Sequence, residues 1–229
     1  MIGIVVPAHN EAALVGECLA AALRAARHPG LNGEPVEIVV VLDHCTDDTA
    51  DIVSAWPVDT LTVSLRNVGA ARAQGAQALL ARGARWLAFT DADSVVAPDW
   101  LVQQLRLGTD VVCGTIQVDE WSDHAQHAAG LHRHFLRTYN DADGHRHIHG
   151  ANLGVSADAY RQVGGFSPLA TSEDVALVEA LQHAGVRIAW SAAPRVVTSA
   201  RRSARAPGGF AAALCQAVDA MRATALVAN

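Results

Sequence analysis

Trp86-Leu87-Ala88-Phe89-Thr90-Asp91-Ala92-Asp93-Ser94 is a short apolar run that breaks at once into two carboxylates placed two apart. An apolar run of this length closed by a polar turn is the pattern of a strand buried on both faces of a parallel sheet. The same grammar precedes it. Ile2 to Val6, Val36 to Leu42 and Thr60 to Leu65 are Val- and Ile-rich runs, separated by Ala-rich stretches of helical character at Glu11 to Arg27, Thr46 to Ala55 and Gly69 to Arg82. A further helix over Pro98 to Leu107 leads to a strand over Asp110 to Gln117. Repeated βαβ units of this kind predict an α/β fold whose first-half strands are parallel. Asn10, Thr46 with Asp47 and Asp48, and Pro98-Asp99 sit where caps of three of the helices belong.

The regularity ends near Val118. Asp119 to Gly150 holds seven of the eleven histidines and a helix-like stretch around Ser122 to Tyr139. A strand over Asn152 to Val155 follows, then Gly164-Gly165-Phe166, a helix from Ser172 to Ala184, and short strands near Val186 to Ser191 and Arg195 to Ser199. An apolar helix from Phe210 onward carries Leu214, Val218 and Met221 at helical spacing, which suits core packing or a homodimer contact.

At 229 residues and 51% hydrophobic, the chain fits one domain with a sizeable core. Seventeen basic against 23 acidic residues give a net charge of −6, which leaves no broad basic surface for a phosphate backbone and argues against nucleic acid as a partner. All 17 basic residues are arginine, so chemistry that needs lysine, such as a P-loop or a Schiff base, is excluded. Cys18, Cys45, Cys113 and Cys215 form no CxxC pair and Met1 to Pro7 lacks a signal-peptide pattern, so a reducing cytoplasm is expected. No apolar run reaches the roughly 20 residues of a membrane span.

In an open parallel sheet, ligands bind at the carboxyl ends of the strands. Those ends are polar here: Pro7-Ala8-His9-Asn10-Glu11, Asp43-His44-Cys45-Thr46-Asp47-Asp48 and Asp91-Ala92-Asp93-Ser94. Asp91 and Asp93 repel one another unless something positive lies between them. A hard divalent cation shared with a diphosphate, Mn²⁺ or Mg²⁺, answers that need. Asp43 can accept from the N3–H of a pyrimidine, Glu11 from ribose hydroxyls, and Arg72 can reach a phosphate with its guanidinium fork.

Seven blocks carry a resemblance to a known family: Val5 to Glu11, Val41 to Thr49, Asn67 to Arg72, Phe89 to Asp93, Gly150 to Leu153, Gly164 to Phe166, and Ser172 to Val175. In this order they resemble the family 2 glycosyltransferases of the GT-A fold, a Rossmann-like mixed sheet flanked by helices. The resemblance implies a single domain over 1–229. Its 1–117 half would hold a nucleotide-diphosphate sugar, expected to be uridine-linked, and its 118–229 half the acceptor and the catalytic base. The base would lie over Asp43 and the ribose near Pro7, Ala8, His9 and Glu11. Asp91 would lie by the sugar or ribose, with Ala92 between it and the metal ligand Asp93. Glu173-Asp174 matches the catalytic carboxylates, so Asp174 would deprotonate an acceptor hydroxyl that attacks the anomeric carbon with inversion.

Two departures stand out. The histidine that many relatives place in the C-terminal part as a metal ligand is absent from Arg195 to Arg205, where Arg201 and Arg202 could clamp a diphosphate instead. The arginine-tryptophan acceptor motif of the processive synthases is also absent, which points to transfer of single sugars. His145, His147 and His149 alternate, as do His132 and His134, so each set shares a face in an extended chain. An acceptor-binding loop with His149 beside the Gly150-Ala151-Asn152 turn is the expected reading; a zinc site is the other. Two alternatives to transfer are a haloacid-dehalogenase-like phosphatase using Asp91 and Asp93, and a His-rich metal-binding protein. The phosphatase motif belongs on a first strand, whereas Asp91 follows the fourth.

Overall fold

Alternation along the first strand sets the layers. In the computed structural model, which describes residues 1–201 together with Leu214, Cys215 and Val218, β1 (Ile2–Ala8) sends Ile2, Ile4, Val6 and Ala8 into one apolar layer and Val5 into the other. The first layer is closed by α1 (Val15–Ala26), whose Val15, Cys18, Leu19 and Ala22 are buried. After β2 (Val36–Asp43), α2 (Thr49–Ser54) and β3 (Asp59–Val63), the second layer is closed by α3 (Val68–Ala81).

Small residues let α3 lie close on the sheet. A Cβ on Gly75 would stand 2.6 Å from a methyl of Val5, and one on Gly3 would stand 2.7 Å from a methyl of Leu79. These contacts are too short for any real side chain.

The chain continues through β4 (Trp86–Phe89), β5 (Ser94–Val96), α4 (Trp100–Arg106), β6 (Val111–Gly114), α5 (Ala128–Thr138), β7 (Leu153–Ser156), α6 (Ala157–Gln162), α7 (Glu173–His183), β8 (Ile188–Ser191) and β9 (Val196–Thr198). Seven strands form one sheet in the order β3-β2-β1-β4-β7-β6-β8. The expected parallel pairing holds for β1 with β2 and β4, and for β2 with β3. β7 enters antiparallel between β4 and β6, which makes the sheet mixed, and β8 runs parallel to β6.

Some local expectations are corrected. Ser94 to Val96, not expected as a strand, forms β5 and pairs antiparallel with β9. Asn10 does not cap α1, which begins at Val15. With φ of 55° it turns its side chain to accept from the Thr46 amide at 2.7 Å, so it ties the loop after β1 to the loop after β2. Asp47 accepts from the amides of Thr49 and Ala12 and makes the same tie from the other side. Asp99 holds the N-cap position of α4 without a side-chain bond to the backbone there; it accepts from the Gln103 amide group instead. His132 and His134 lie within α5, where positions two apart do not share a face.

Leu214 and Val218 are buried with Val118, Trp121, Leu131 and Ala200 in a satellite cluster. Phe210 and Met221, expected on the same helix, and Arg202 and Arg205 lie outside the described residues. Among the described residues no helix is long and apolar enough to cross a membrane.

Helix propensity alone favours Ala over Gly by about 1 kcal/mol. At position 75 we expect the opposite sign: Gly75→Ala should lower stability by roughly 1–3 kcal/mol through overpacking against Val5. A urea midpoint equal to or above that of the native chain would refute the close-packing account.

Candidate functional site

The loops at the carboxyl edge of β1, β2 and β4 wall a cavity of about 800 Å³, closed on the far side by His149 to Ala151 and by Ala170 to Val175. Pro7, Ala8, His9, Glu11, Asp43, Arg72, Asp91, Ala92, Asp93, His149, Gly150, Ala151, Glu173 and Asp174 all line it. The fold therefore brings residues from both halves of the chain to one cavity. Asn152 is the exception.

Asp43 is buried at the end of β2. One carboxylate oxygen accepts from the amides of Leu65 and Arg66 at 2.6 and 2.9 Å, the other from Asn67 at 2.9 Å. Three backbone bonds fix the carboxylate and leave acceptor capacity on the second oxygen. The same turn delivers Asn67, whose side chain caps α3 by accepting from Ala70 and also donates to the Pro168 carbonyl. His9 and His44 lie nearly parallel on this wall, with ring centroids 6.3 Å apart. His9 Nδ1 is 2.7 Å from the Asp43 carbonyl.

Arg72 departs from its expected role. Its guanidinium is buried and fully turned onto the protein: Nε donates to Glu173 at 3.0 Å, Nη1 to the Gly150 carbonyl at 2.7 Å and Nη2 to Asp91 at 2.6 Å. It joins three segments instead of presenting an open fork to a phosphate. Burial works against its charge, but Asp91 and Glu173 outweigh that and hold the pKa above the ordinary arginine value. Glu173 is pushed up by burial despite Arg72 beside it. Gly150 leaves room for this arrangement, since a Cβ there would lie 2.4 Å from Arg72 Nη2.

Asp174 opens α7. Its Oδ2 accepts from the Gly150 amide at 2.7 Å and its Oδ1 from the Val175 amide at 2.8 Å. The carboxylate is thus aimed by the helix N-terminus and by the 150 turn together.

Asp91 and Asp93 do not face one another. Asp91 is drawn to Arg72, while Asp93 Oδ2 lies 3.1 Å from Arg201. Both Glu11 oxygens accept from Arg201 Nη1, at 2.7 and 2.6 Å, in place of the ribose contact expected of Glu11. Burial raises Asp93 to about 6, with Asp91 and Glu11 adding to the rise and Arg201 opposing it. Oxygen donors of this type suit a hard cation, but as placed they do not converge on one point. Among the described residues no group of three or more His, Cys, Asp or Glu is arranged to hold a metal ion. A guanidinium stands where Mn²⁺ or Mg²⁺ was expected.

Asn152 was expected in the acceptor wall. It is instead a buried brace: its amide group donates to the carbonyls of Thr115 and Pro194 at 2.7 and 2.8 Å, and its oxygen accepts from the Trp100 indole at 2.8 Å. His149 does reach the cavity, held by Tyr139. The Tyr139 hydroxyl accepts from the Ile116 amide at 2.8 Å and shares a hydrogen bond with His149 Nε2 at 2.9 Å. Burial, aided by His147 and His145, lowers the His149 pKa to about 3. His147 and His149 stack against Tyr139 and each other, and His145 stacks on His147, with Tyr139 and His147 centroids 4.1 Å apart. Sequence spacing gave no sign of the Tyr139 and Asn152 contacts, which depend on residues far along the chain.

The sequence model of glycosyl transferase family 2 matches residues 3–164. Residues 1–349 of S. aureus TarS, in complex with UDP-GlcNAc, superpose with a TM-score of 0.64 at 14% identity, covering 91% of this chain and 61% of that one. The mannosyltransferase PcManGT from Pyrobaculum calidifontis, in complex with GDP-Man and Mn²⁺, gives a TM-score of 0.60 at 19% identity, covering 86% of this chain and 56% of that one. A mycobacterial protein gives 0.57 at 17% identity, with 86% and 67% covered. At such identities the likeness is one of fold, and the chain spans about three fifths of the TarS segment. No curated protein matches the chain.

Two measurements check the site's construction. Asn152→Ala leaves three buried groups without a partner and should destabilise the fold by roughly 2–4 kcal/mol; a change within about 0.5 kcal/mol would show that those bonds are not made. Asp93→Asn tests the charge burden. Because the folded pKa of Asp93 is raised, its ionised form weakens the native state at higher pH, and that cost fades as pH falls through about 6. In EDTA, the variant should melt above the native chain near pH 8, and that advantage should shrink progressively from about pH 6 and be gone near the ordinary carboxylate pKa of about 4.

Proposed function

Since the chain belongs to glycosyl transferase family 2 and has the GT-A fold of its structural neighbours, we propose that it moves a single sugar from a nucleotide-diphosphate sugar to an acceptor hydroxyl with inversion. One observation carries this reading. Asp43, fixed by backbone amides, and Asp174, aimed by a helix N-terminus, line one cavity, and Arg72 ties the end of β4 to the Gly150 turn and the start of α7 through Asp91, Gly150 and Glu173.

In the proposed reaction Asp43 accepts from the ring N–H of the donor's base, and Pro7, Ala8 and His9 line the nucleoside. Uridine is the preferred base, in keeping with the UDP-GlcNAc named for TarS; a GDP-sugar, as named for PcManGT, is the other donor to be tested. The residues of 1–117 supply this half of the site, and those of 118–229 supply the acceptor side, with His149, Gly150 and Ala151 as its wall. An acceptor oxygen attacks the anomeric carbon as the bond to the diphosphate breaks. Its proton passes to an Asp174 oxygen, which keeps a lone pair after accepting one backbone bond. Glu173, tied to Arg72, positions Asp174 and does not itself meet the acceptor. A donor of this kind is a cytoplasmic metabolite, and we place the reaction there.

The phosphatase alternative lacks support in the geometry, because the Asp91 carboxylate is engaged by Arg72. For the His-rich reading, the described residues hold no group of three or more His, Cys, Asp or Glu arranged for a metal ion, and His147 stacks on Tyr139.

Calorimetric titration of UDP and GDP into the protein, followed by a screen of nucleotide sugars for released nucleotide, tests the donor. Asp43→Ala should weaken UDP by at least about tenfold. Asp174→Asn should reduce kcat by about 10²–10⁴ and leave the UDP Kd within about threefold. Retained kcat in Asp174→Asn would remove that residue as the base.

A further inference from the structure

We infer that the Arg201 guanidinium is the resident cation of the acidic corner and a binding group for the donor diphosphate, so that nucleotide binding does not require a divalent metal ion. The inference deepens the donor-site reading above and rests on it.

The geometry is specific. Arg201 lies 190 positions from Glu11 in sequence, yet its Nη1 lies 2.7 and 2.6 Å from the two Glu11 oxygens, while its Nη2 lies 3.1 Å from Asp93. β9 brings it there. That strand pairs with β5, which begins at Ser94, directly after Asp93, and the Ser94 hydroxyl bonds to that of Thr198 at 2.9 Å. The chain leaving β9 is therefore pinned to the Asp91-Ala92-Asp93 turn, and Arg201 follows three residues later.

Glu11 and Asp93 are both largely out of water, with side chains 7% and 10% exposed. Two such carboxylates need a positive charge beside them. Arg201 supplies it and remains 19% exposed, on the cavity lining. Its Nε and one Nη2 hydrogen have no acceptor among the described residues. Those donors can take phosphate oxygens in the fork geometry that guanidinium offers and ammonium does not. A divalent ion seeking Asp93 would have to displace Arg201 from both carboxylates.

The experiment is UDP titration by calorimetry in EDTA and in Mn²⁺, on the native chain, Arg201→Ala and Arg201→Lys, each first checked for a cooperative melt. The native chain should bind UDP in EDTA with a Kd within about threefold of that in Mn²⁺. Arg201→Ala should bind at least about tenfold more weakly in EDTA and recover affinity in Mn²⁺, because Asp93, freed from the guanidinium, can then offer its carboxylate to an ion shared with the diphosphate. Arg201→Lys should fall between them, and it serves alone if the alanine variant does not fold. Native binding that is lost in EDTA, or an Arg201 variant with unchanged affinity there, overturns the inference while leaving the donor site in place. If neither UDP nor GDP binds the native chain in either condition, the donor-site reading fails and this inference with it.

Discussion

Arg72 holds a buried positive charge to which three distant parts of the chain are attached. Asp91 comes from the end of β4, Gly150 from the loop before β7 and Glu173 from the start of α7. Taking a guanidinium and two carboxylates out of water costs several kcal/mol per ion, and the cost is offset only when the geometry is near ideal and the charges are hydrogen-bonded. Here Nε, Nη1 and Nη2 each have an acceptor at 3.0 Å or less. Removing Arg72 would strand Asp91 and Glu173 without their cation, so the placement of the nucleotide wall and of the acceptor wall is one problem with one solution. A lysine could not substitute, since its single ammonium cannot face three segments in a plane.

Around that centre the remaining functional side chains are fixed by backbone, not by one another. Asp43 is held by three successive amides and Asp174 by the amides of Gly150 and Val175. Amides on a folded main chain need no reorganisation when charge develops, which is the condition for efficient electrostatic support of a reaction. Gly150 takes part in both systems: its carbonyl accepts from Arg72 and its amide donates to Asp174. The absence of a side chain there follows directly, because any Cβ would meet the guanidinium.

What the sequence revealed and what it concealed divide along physical lines. The apolar runs ending in acids at Asp43 and Asp91 placed β2 and β4 correctly, because burial on two faces leaves a mark in the local pattern. The entry of β7 against β4 left no such mark; Leu153 to Ser156 reads the same whichever way it runs. β5 is three residues whose partner lies about a hundred positions away, and a ribbon that short is specified by its mate rather than by its own composition. Arg72 and Asn152 were recognised as site residues from their motifs, yet their tasks were misassigned for a shared reason. A motif identifies which residue stands at a position, while the direction of its side chain is decided by acceptors elsewhere. For Asn152 those acceptors are the carbonyls of Thr115 and Pro194.

The arginine-only composition gains meaning at this point. In the acidic corner each carboxylate is matched to a guanidinium: Asp91 to Arg72, and Glu11 and Asp93 to Arg201. The two cations differ in one decisive respect. Arg72 is buried and has its three nitrogens committed, so it maintains the frame and cannot follow a ligand. Arg201 lines the cavity with donors to spare, three residues beyond the end of β9. A diphosphate adds negative charge where the carboxylates already compete for cations, and of the two cations only Arg201 can extend toward it without dismantling the joint between the walls. Rigidity at Arg72 and reach at Arg201 are therefore complementary consequences of where the sheet leaves each guanidinium.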